Sequence, residues 1–328
     1  MIKFGLVGYG AWGQQHEWAI RNHPEAELSF ILSSSMKKSN HTAGVPVYDD
    51  LDVALAQHAI DVLDVVVPNH LHAHYAKIGL SKGLHVLLEK PIATSTKDAE
   101  TIIKSWEASG NLLYVGYELR LSTLWKRVKE LVRSGAIGQL LWIDVSLERH
   151  PFRQGKGAWR YQAELVGNWM IEEAVHHIDL ITWLTDTNIQ PQSIDTIFPG
   201  GNLAMSEHCS TTLHFPSGML ATYRYCLIAE GHHLIVTIYG EKGSVRGEWH
   251  GITDRTLEPT YSVTLRQAGV ATTIDDLPAS GELFELQAEI AEMIACVKGE
   301  KSPPLSPYEA LDNLKLAMAI QQSGGEGK

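Results

Sequence analysis

Glu172, His176 and Asp179 have the residue types and the spacing of an acid–base group. They lie in a proline-free segment from Trp169 to Leu184 whose apolar residues recur at helical spacing. This pattern predicts an amphipathic helix with the three polar residues on one side. A carboxylate one helical turn before an imidazole fixes the tautomer of the imidazole and raises its basicity. The second ring nitrogen can then take up or release a proton during catalysis.

Two other interpretations of this segment are open. Taken alone, it fits an exposed Glu/His face on a packed helix slightly better than a catalytic group. A metal site made of Glu172, His176, His177 and Asp179 is less favoured, because adjacent residues such as His176 and His177 point about 100° apart on a helix. Neither a Cys cluster nor HExxH spacing supports such a site, so we expect no bound metal.

The first residues of the chain carry a dinucleotide fingerprint. The apolar run from Ile2 to Val7 is followed by Gly8-Tyr9-Gly10-Ala11-Trp12-Gly13 and a helix-like stretch. In the order strand, GxGxxG and helix, the first glycine permits a tight turn, the second lets the backbone approach a pyrophosphate, and the third allows close helix–strand packing. We therefore predict that Gly8, Gly10, Ala11, Trp12 and Gly13 bind the cofactor; a glycine-rich turn without a ligand is the alternative.

The end of the second predicted strand indicates which dinucleotide is bound. An Asp or Glu that would bind the ribose of NAD is missing after Leu32, where the sequence reads Ser33-Ser34-Ser35-Met36-Lys37-Lys38. Hydroxyl groups followed by lysines suit a 2′-phosphate, so NADP(H) is favoured and NAD(H) stays possible. The predicted contacts are Ser33, Ser34, Lys37 and Lys38. The alternative is a solvated loop whose lysines touch nothing.

Further strand-like runs lead into polar turns. Ile60 to Val67 is followed by Pro68-Asn69, and Leu84 to Leu88 by Glu89-Lys90-Pro91. Near-continuous apolar runs separated by helices predict a parallel sheet that is buried on both faces. Ligands bind at the carboxyl ends of such strands. Pro68, Asn69, Glu89 and Lys90 are therefore also predicted to contact the cofactor.

Through these motifs the chain resembles the Gfo/Idh/MocA family of nicotinamide-dependent oxidoreductases. The resemblance rests on the glycine motif, the Pro68-Asn69 turn, Glu89-Lys90-Pro91, the segment from Glu172 to Asp179, and the terminal segment from Ser306 to Leu311. It covers nearly the whole chain, and Glu-Lys-Pro after a strand is its most specific part.

The resemblance implies a fold and a set of catalytic residues. Lys90 corresponds to the catalytic lysine of the family and His176 to its acid/base, whereas Glu172 stands where the family often has Asp. The implied fold is α/β, with a Rossmann domain at residues 1–118 and an α/β domain with a large, mostly antiparallel sheet at residues 119–328. Family members commonly form dimers or tetramers, so a homodimer or homotetramer is expected.

The chemistry of these residues agrees with an oxidoreductase. When a hydride leaves a carbinol carbon, the proton of its hydroxyl must be removed as well. Lys90 can act as a base if its pKa is lowered, or it can stabilise alkoxide charge if it stays protonated. His176 can take or supply the proton while Glu172 orients it. Which of Lys90 and His176 is the base stays open.

The stretch of residues 149–161 is basic and aromatic in an otherwise acidic protein. We interpret it as a substrate-binding loop in which Trp159 packs on a sugar face and Arg153 and Arg160 bind hydroxyls or a carboxylate. Tyr117 and His177 are predicted to contribute to the same site. An equally good alternative places Trp159 in the core and the arginines in surface salt bridges.

Composition excludes several classes of partner. The chain has 328 residues, which suggests two domains, and its formal net charge of -11 argues against nucleic acid or an anionic membrane as the main partner. Three separated cysteines suit a reducing compartment. There is no leader-like segment and no apolar run near the roughly 20 residues of a membrane span. A cytoplasmic location is therefore expected.

Together these features predict an oxidoreductase that uses NADP(H), or NAD(H), to interconvert a sugar, polyol or related hydroxyl compound with its carbonyl form. One alternative is a non-catalytic NADP-binding sensor on the same scaffold. Another is a glycosidase that uses the redox step transiently and returns the cofactor unchanged.

Overall fold

The computed structural model describes residues 1–34, 44–150, 159–187, 190–199 and 206–325. The chain divides into two compact units. The first contains Met1–Tyr117 and Leu286–Leu314, and the second contains Glu118–Glu285 and the residues from Lys315 on. The predicted boundary lay one residue later, and the predicted second domain ran to the end of the chain. Residues 286–314 instead belong to the first unit.

The first unit contains a six-stranded parallel sheet in the order β3-β2-β1-β4-β5-β6. This is the strand order of a dinucleotide-binding Rossmann fold. The strands are β1 (Ile2–Val7), β2 (Ala26–Leu32), β3 (Val47–Tyr48), β4 (Val62–Val65), β5 (His85–Glu89) and β6 (Leu113–Gly116). The buried apolar runs of the sequence thus form the parallel sheet that their pattern predicted.

Four helices connect these strands, and local residue types fix where several of them begin and end. They are α1 (Ala11–Asn22), α2 (Leu51–Gln57), α3 (His72–Ser81) and α4 (Thr96–Ser109). Asp50 caps α2 by accepting hydrogen bonds from the backbone N–H groups of residues 52 and 53. Ser95 caps α4 in the same way, and Gly110, with a φ of 69°, ends it.

The core of the first unit includes residues from the end of the chain. Leu286, Ile290, Met293 and Ile294 lie on α8 (Glu282–Val297) and belong to the same buried cluster as Phe4. Their spacing places them on one face of the helix. Burial of this face explains why the C-terminal segment returns to the first unit, which a reading of the chain in order could not show.

The second unit is built on an eight-stranded sheet in the order β14-β13-β12-β11-β7-β10-β9-β8. Its strands are β7 (Leu140–Arg149), β8 (Ser193–Ile197), β9 (His208–His214), β10 (Leu220–Cys226), β11 (His232–Gly240), β12 (Gly243–Gly251), β13 (Thr260–Gln267) and β14 (Val270–Ile274). Neighbours pair antiparallel except β7 and β10, which run parallel. The predicted large, mostly antiparallel sheet is confirmed.

The second unit also contains helices. They are α5 (Thr123–Arg133), α6 (Ala163–Val166) and α7 (Val175–Thr185), and α9 (Pro307–Ser323) ends in this unit. Helix α5 contacts β12 and α7 contacts β7. Within the described ranges, every helix is too short or too polar to cross a membrane.

The contact between α5 and β12 depends on a glycine. A Cβ at Gly247 would lie 2.7 Å from the ring of Trp125 and 2.9 Å from Val128, both buried on α5. We expect Gly247→Ala to lower the free energy of unfolding by about 1 to 3 kcal/mol, because the helix must move away from the strand. Urea unfolding measures this, with Ser262→Ala on the adjacent β13 as the control. Equal stability of both variants would contradict the packing described.

Candidate functional site

The turn between β1 and α1 requires glycine at two positions and leaves space at a third. Gly8 has a φ of 102°, and a Cβ there would collide with the carbonyl oxygen of Val66. A Cβ on Gly13 would collide with the carbonyl oxygen of Gly8. At Gly10 no atom of the described protein lies within 4 Å of the Cβ position, although its φ of -76° would accept any residue.

This arrangement fits the phosphates of a dinucleotide. Helix α1 begins at Ala11, so its first backbone N–H groups and the positive end of its dipole lie next to the space at Gly10. The hydrogen bond from the Gly8 N–H to the carbonyl of Leu32, at 2.9 Å, fixes the turn to the end of β2. The turn therefore has the shape and polarity that the glycine spacing predicted.

The residues predicted to recognise the ribose are described only in part. Ser33 is buried, and its N–H donates to the carbonyl of Tyr48 at 2.9 Å, whereas Ser34 is exposed. Lys37 and Lys38 lie outside the described residues. The preference for NADP(H) therefore stays a prediction.

The polar turns after β4 and β5 are fixed to each other by a buried histidine. Asn69 is buried in the 3-10 turn that follows Pro68. The ring nitrogens of His72 lie 2.6 Å from the carbonyl oxygen of Pro91 and 2.9 Å from that of Val67. His72 thus connects the Pro68-Asn69 turn with the Glu89-Lys90-Pro91 turn.

Glu89 lies at the end of β5 and accepts three hydrogen bonds. Trp12 Nε1 donates to Oε1 at 2.7 Å, His16 Nε2 lies 3.1 Å from the same oxygen, and the N–H of Lys90 donates to Oε2 at 3.2 Å. The other ring nitrogen of His16 lies 2.9 Å from Asp64 Oδ2. His16 and Asp64 are both 0 % exposed.

Burial and pairing act in opposite directions on the pKa values of this cluster. Burial lowers the pKa of His16, but Asp64 and then Glu89 more than offset this and raise it to about 10. Burial would raise the pKa of Glu89, yet the hydrogen bond and charge of His16, together with Lys90 and Trp12, bring it below its ordinary value. His16 is therefore an imidazolium, and Glu89 is a carboxylate at neutral pH.

The central segment of the second unit differs from the single α-helix that was predicted. Met170–Ala174 is π-helical, and α7 begins at Val175. Asn168 Oδ1 accepts a hydrogen bond from the N–H of Ile171 at 3.0 Å at the start of the segment. The i, i+4 geometry of an α-helix therefore does not apply between Glu172 and His176. π-helical turns of this kind are frequent at functional sites.

The three polar residues of this segment have partners from elsewhere in the second unit. Arg160 Nε donates to Glu172 Oε1 at 2.7 Å, and the guanidinium of Arg120 binds both carboxylate oxygens of Asp179, with distances of 2.7 to 3.2 Å. The carboxylate beside His176 is that of Glu118, whose Oε1 lies 3.3 Å from Nδ1. Glu118, and not the predicted Glu172, is thus the carboxylate next to His176.

The predicted substrate-binding residues have different surroundings. Arg153 lies outside the described residues. The guanidinium of Arg160 lies 4.7 Å from the ring centroid of Trp159, and both side chains are half-buried. Tyr117, in the first unit, is 3 % exposed. His177 is 4 % exposed and stacks on Tyr223, with its Nδ1 3.0 Å from the tyrosine hydroxyl, so it lies in the interior of the second unit.

Glu173, a second carboxylate of the π-helical segment, is bound by Arg149, which the sequence pattern placed only in a loop. Arg149 Nη1 donates to both oxygens of Glu173 at 2.8 Å, and its Nη2 donates to Asp254 Oδ2 at 2.7 Å. Burial lowers the pKa of Arg149, but Glu173 and Asp254 raise it above its ordinary value. Arg149 on Glu173 and Arg160 on Glu172 therefore fix the π-helical segment.

The sequence did contain a signal for the cluster around His16. Asp64 interrupts an otherwise apolar strand, and a charged residue in a buried strand needs a partner. A histidine in the helix after the glycine motif is one such partner, but the pairing becomes evident only when β1, β4 and α1 are placed side by side.

Comparison with known proteins agrees with this geometry. Residues 2–117 match the family model described as oxidoreductase family, NAD-binding Rossmann fold, and residues 125–246 match the model described as the GFO/IDH/MocA C-terminal domain. Together these two matches span most of the chain.

Individual relatives are distant. The chain is 25 % identical over 256 residues to the 2,7-anhydro-N-acetylneuraminate hydratase of Escherichia coli, covering 75 % of this chain and 67 % of the relative. It is 23 % identical to the 1,5-anhydro-D-fructose reductase of Ensifer adhaerens, covering 100 % and 98 %. The solved structure of the aldose-aldose oxidoreductase of Caulobacter crescentus has a TM-score of 0.84 at 19 % identity, covering 100 % and 98 %, which shows a shared fold.

The space at Gly10 predicts a variant that loses cofactor affinity without losing stability. In Gly10→Ala the new methyl group meets no protein atom but occupies the space available to the pyrophosphate. We expect the Kd for NADP or NAD to rise on the order of tenfold or more, or about 1.4 kcal/mol, with an unchanged melting temperature. Calorimetric titration measures the first and a thermal melt the second.

The companion variant Gly13→Ala serves as the contrast. Its methyl group would collide with backbone, so it should lower the melting temperature as well. Wild-type affinity in Gly10→Ala would show that the cofactor phosphates lie elsewhere.

The raised pKa of His16 predicts how stability depends on pH. The pKa is about 10 in the folded chain and 6.5 ordinarily, so its contribution is complete below pH 6.5 and is lost as the pH rises toward 10. The difference in unfolding free energy between wild type and His16→Gln should fall by up to about 1.4 kcal/mol per pH unit across that window. Urea unfolding at one-unit intervals tests this, and a constant difference would show that His16 is not charged.

Proposed function

Because the chain belongs to the Gfo/Idh/MocA family of oxidoreductases, whose first domain is an NAD-binding Rossmann fold, we propose that it transfers a hydride between NADP(H) and a sugar, polyol or related hydroxyl compound. NAD(H) is the second choice of cofactor. The observation that carries the proposal is the open space at Gly10, at the start of α1 and at the carboxyl end of β1.

The residues of the first unit would hold the cofactor in a defined order. The turn from Gly8 to Gly13 binds the pyrophosphate through backbone N–H groups. Ser33 and Ser34 lie where the ribose of the adenosine half binds in this strand order. Asn69 and the Glu89-Lys90 turn, which follow β4 and β5, would hold the nicotinamide half. When bound, the cofactor supplies the hydride acceptor or donor.

Lys90 acts on the substrate oxygen. Its ammonium group hydrogen-bonds the hydroxyl or carbonyl oxygen and stabilises the negative charge that develops there during hydride transfer. The carboxylate of Glu89 is engaged with Trp12, His16 and the Lys90 N–H, which fixes the backbone from which the lysine side chain extends. Pre-positioning of this kind lowers the barrier because no reorganisation is needed during the reaction.

His176 moves the proton of the substrate hydroxyl. Glu118 lies beside its Nδ1, which favours a proton on that nitrogen and leaves Nε2 to accept one. In the oxidation direction Nε2 takes the hydroxyl proton as the hydride leaves the carbon, and in the reduction direction it returns the proton. The charge of Glu118 stabilises the imidazolium that forms.

A carbohydrate substrate is supported by residue types and by the relatives. Arg160 and Trp159 form a half-buried pair of a cation and an aromatic ring, and such surfaces bind hydroxyl groups and the C–H faces of sugars. The relatives described above are named for an anhydro sugar acid, an anhydrofructose and an aldose.

A redox-neutral reaction is the second candidate, and one relative favours it. The relative from Escherichia coli is named a hydratase. In such a reaction the hydride leaves a substrate carbon and later returns to the same molecule, while water adds to it. The cofactor is then unchanged at the end, and the same lysine and histidine are needed.

The test is turnover by variants of the two assigned residues. Purified protein is given NADP or NAD with sugars, polyols and anhydro sugars, and reduced nicotinamide is followed by absorbance and products by chromatography. Lys90→Ala and His176→Ala should each lower turnover by about 10² to 10⁴-fold and leave the Kd for cofactor nearly unchanged. The exposed residues Lys97 and His74 provide matched controls as Lys97→Ala and His74→Ala.

The outcomes separate the candidates. Net reduction of cofactor identifies the oxidoreductase, and product without net reduction identifies the redox-neutral enzyme. Cofactor binding without any conversion would favour a sensor. Full turnover in both Lys90→Ala and His176→Ala would disprove the residue assignment.

A further inference from the structure

The carboxylate of Glu89 is the point at which helix α1 contacts the turn that carries Lys90. Two side chains of α1, Trp12 and His16, reach Glu89 Oε1 at 2.7 and 3.1 Å. The other oxygen of Glu89 accepts the backbone N–H of Lys90 at 3.2 Å. One carboxylate therefore joins the helix to the lysine.

Trp12 and His16 are placed for this by their spacing. They are four residues apart on α1 and so lie on one face of the helix. Their ring centroids are 5.5 Å apart in an edge-on arrangement. Helix α1 also begins at the glycine turn, so the element that offers its N-terminus to the cofactor phosphates is the element that holds Glu89.

When Asp64 and Glu89 are both carboxylates, the contacts of His16 require a charged ring. Both ring nitrogens lie within hydrogen-bond distance of a carboxylate oxygen, 2.9 Å from Asp64 and 3.1 Å from Glu89. A neutral imidazole has one N–H and would place a lone pair against one of these oxygens. An imidazolium donates to both, and such charge-assisted bonds are about twice as strong as neutral ones.

The groups that face His16 come from three other elements. Asp64 lies on β4, Glu89 on β5 and Glu289 on α8; the first two raise the pKa of His16, and the charge of His16 lowers that of Glu289. Burial raises the pKa of Glu289 well above its ordinary value, and the charge of Glu89 acts in the same direction. Burial also raises the pKa of Asp64, which the charge and hydrogen bond of His16 oppose. The pKa of Glu89 lies below its ordinary value, because His16, Lys90 and Trp12 outweigh its burial.

We infer that His16 is a positioning residue for Lys90. As an imidazolium fixed by Asp64, it holds the Glu89 carboxylate against the Lys90 N–H and so couples that lysine to the helix that binds the cofactor phosphates. The inference rests on the proposed function in taking Lys90 as the group that acts on the substrate and α1 as the helix at the cofactor phosphates. The coupling itself is a property of the fold.

A direct test measures hydrogen exchange at the Lys90 amide in the full chain. Pro91 has no amide, so a peptide covering residues 86–92 reports Lys90 together with β5 amides that serve as internal references. In His16→Gln the charge is lost, and Glu89 keeps only Trp12 as its charge-neutral donor from α1. We expect exchange at Lys90 to become faster by about tenfold or more, with the β5 amides unchanged.

The matched control is His85→Gln. His85 lies at the opposite end of the same strand, where its Nδ1 accepts the N–H of Leu112 at 3.0 Å. It undergoes the same substitution and should leave exchange at Lys90 and turnover unchanged. Faster exchange in both variants, or at every amide of the first unit, would reduce His16 to a purely structural role and overturn the inference.

A second variant keeps the inference testable if His16→Gln does not fold. Trp12→Phe removes the other α1 donor to Glu89 but leaves the ion pair between His16 and Asp64 intact. It should also accelerate exchange at Lys90, to a smaller degree. If exchange at Lys90 is unchanged in whichever of His16→Gln and Trp12→Phe fold, the coupling is contradicted.

Kinetics and spectroscopy separate positioning from general stability. With a substrate in hand, His16→Gln should lower kcat by about tenfold to a hundredfold while the KM for the cofactor stays within about twofold. Nitrogen NMR of the wild type should show both ring nitrogens of His16 protonated at pH 8 to 9, below its pKa of about 10. A neutral ring there would overturn the inference.

Failure of the proposed function would give other results than failure of the coupling between His16 and Lys90. Exchange and NMR need no substrate, so they report on the coupling even if no carbohydrate is converted. If Lys90→Ala keeps full turnover while His16→Gln accelerates exchange at Lys90, the coupling stands and the catalytic assignment falls.

Discussion

A carboxylate that leaves water when a chain folds must receive a cation or several hydrogen-bond donors, and this requirement shapes both units. In the first unit, Asp64 and Glu89 both contact His16. In the second, Glu172, Glu173 and Asp179 are each paired with a different arginine. Each pair fixes one element against another, so the positions of the catalytic candidates follow from the pairing of buried charge.

In the proposed reaction the two units have different roles. The parallel sheet of the first unit places the glycine turn and the turn that carries Lys90 at the carboxyl ends of its strands. Backbone N–H groups and a helix dipole there suit an anionic cofactor. The second unit supplies an imidazole with a carboxylate beside it, on a segment whose π-helical turn is stabilised by two arginines. A hydride transfer needs both kinds of group, one to hold the cofactor and one to move a proton.

Much of the fold follows from patterns that extend over a few residues. The apolar runs predicted the buried strands of the parallel sheet, and the glycine motif predicted a strand–turn–helix junction; both are present. The partners of Glu172 and His176 were not predictable in this way. A search for a carboxylate one helical turn away finds Glu172, but Glu118 lies beside His176 because the chain brings it there from 58 positions earlier.

The sequence by itself determined the parallel sheet and the glycine turn, because local periodicity and residue type decide which faces are buried and which backbone angles are allowed. It also identified Lys90 and His176 as catalytic candidates. Only the tertiary structure decided the return of residues 286–314 to the first unit and the ion pair between His16 and Asp64. It also decided the π-helical turn and the partners of its carboxylates. These features join residues that are distant in the chain, and their free energy depends on desolvation and on distances that exist only after the elements have packed.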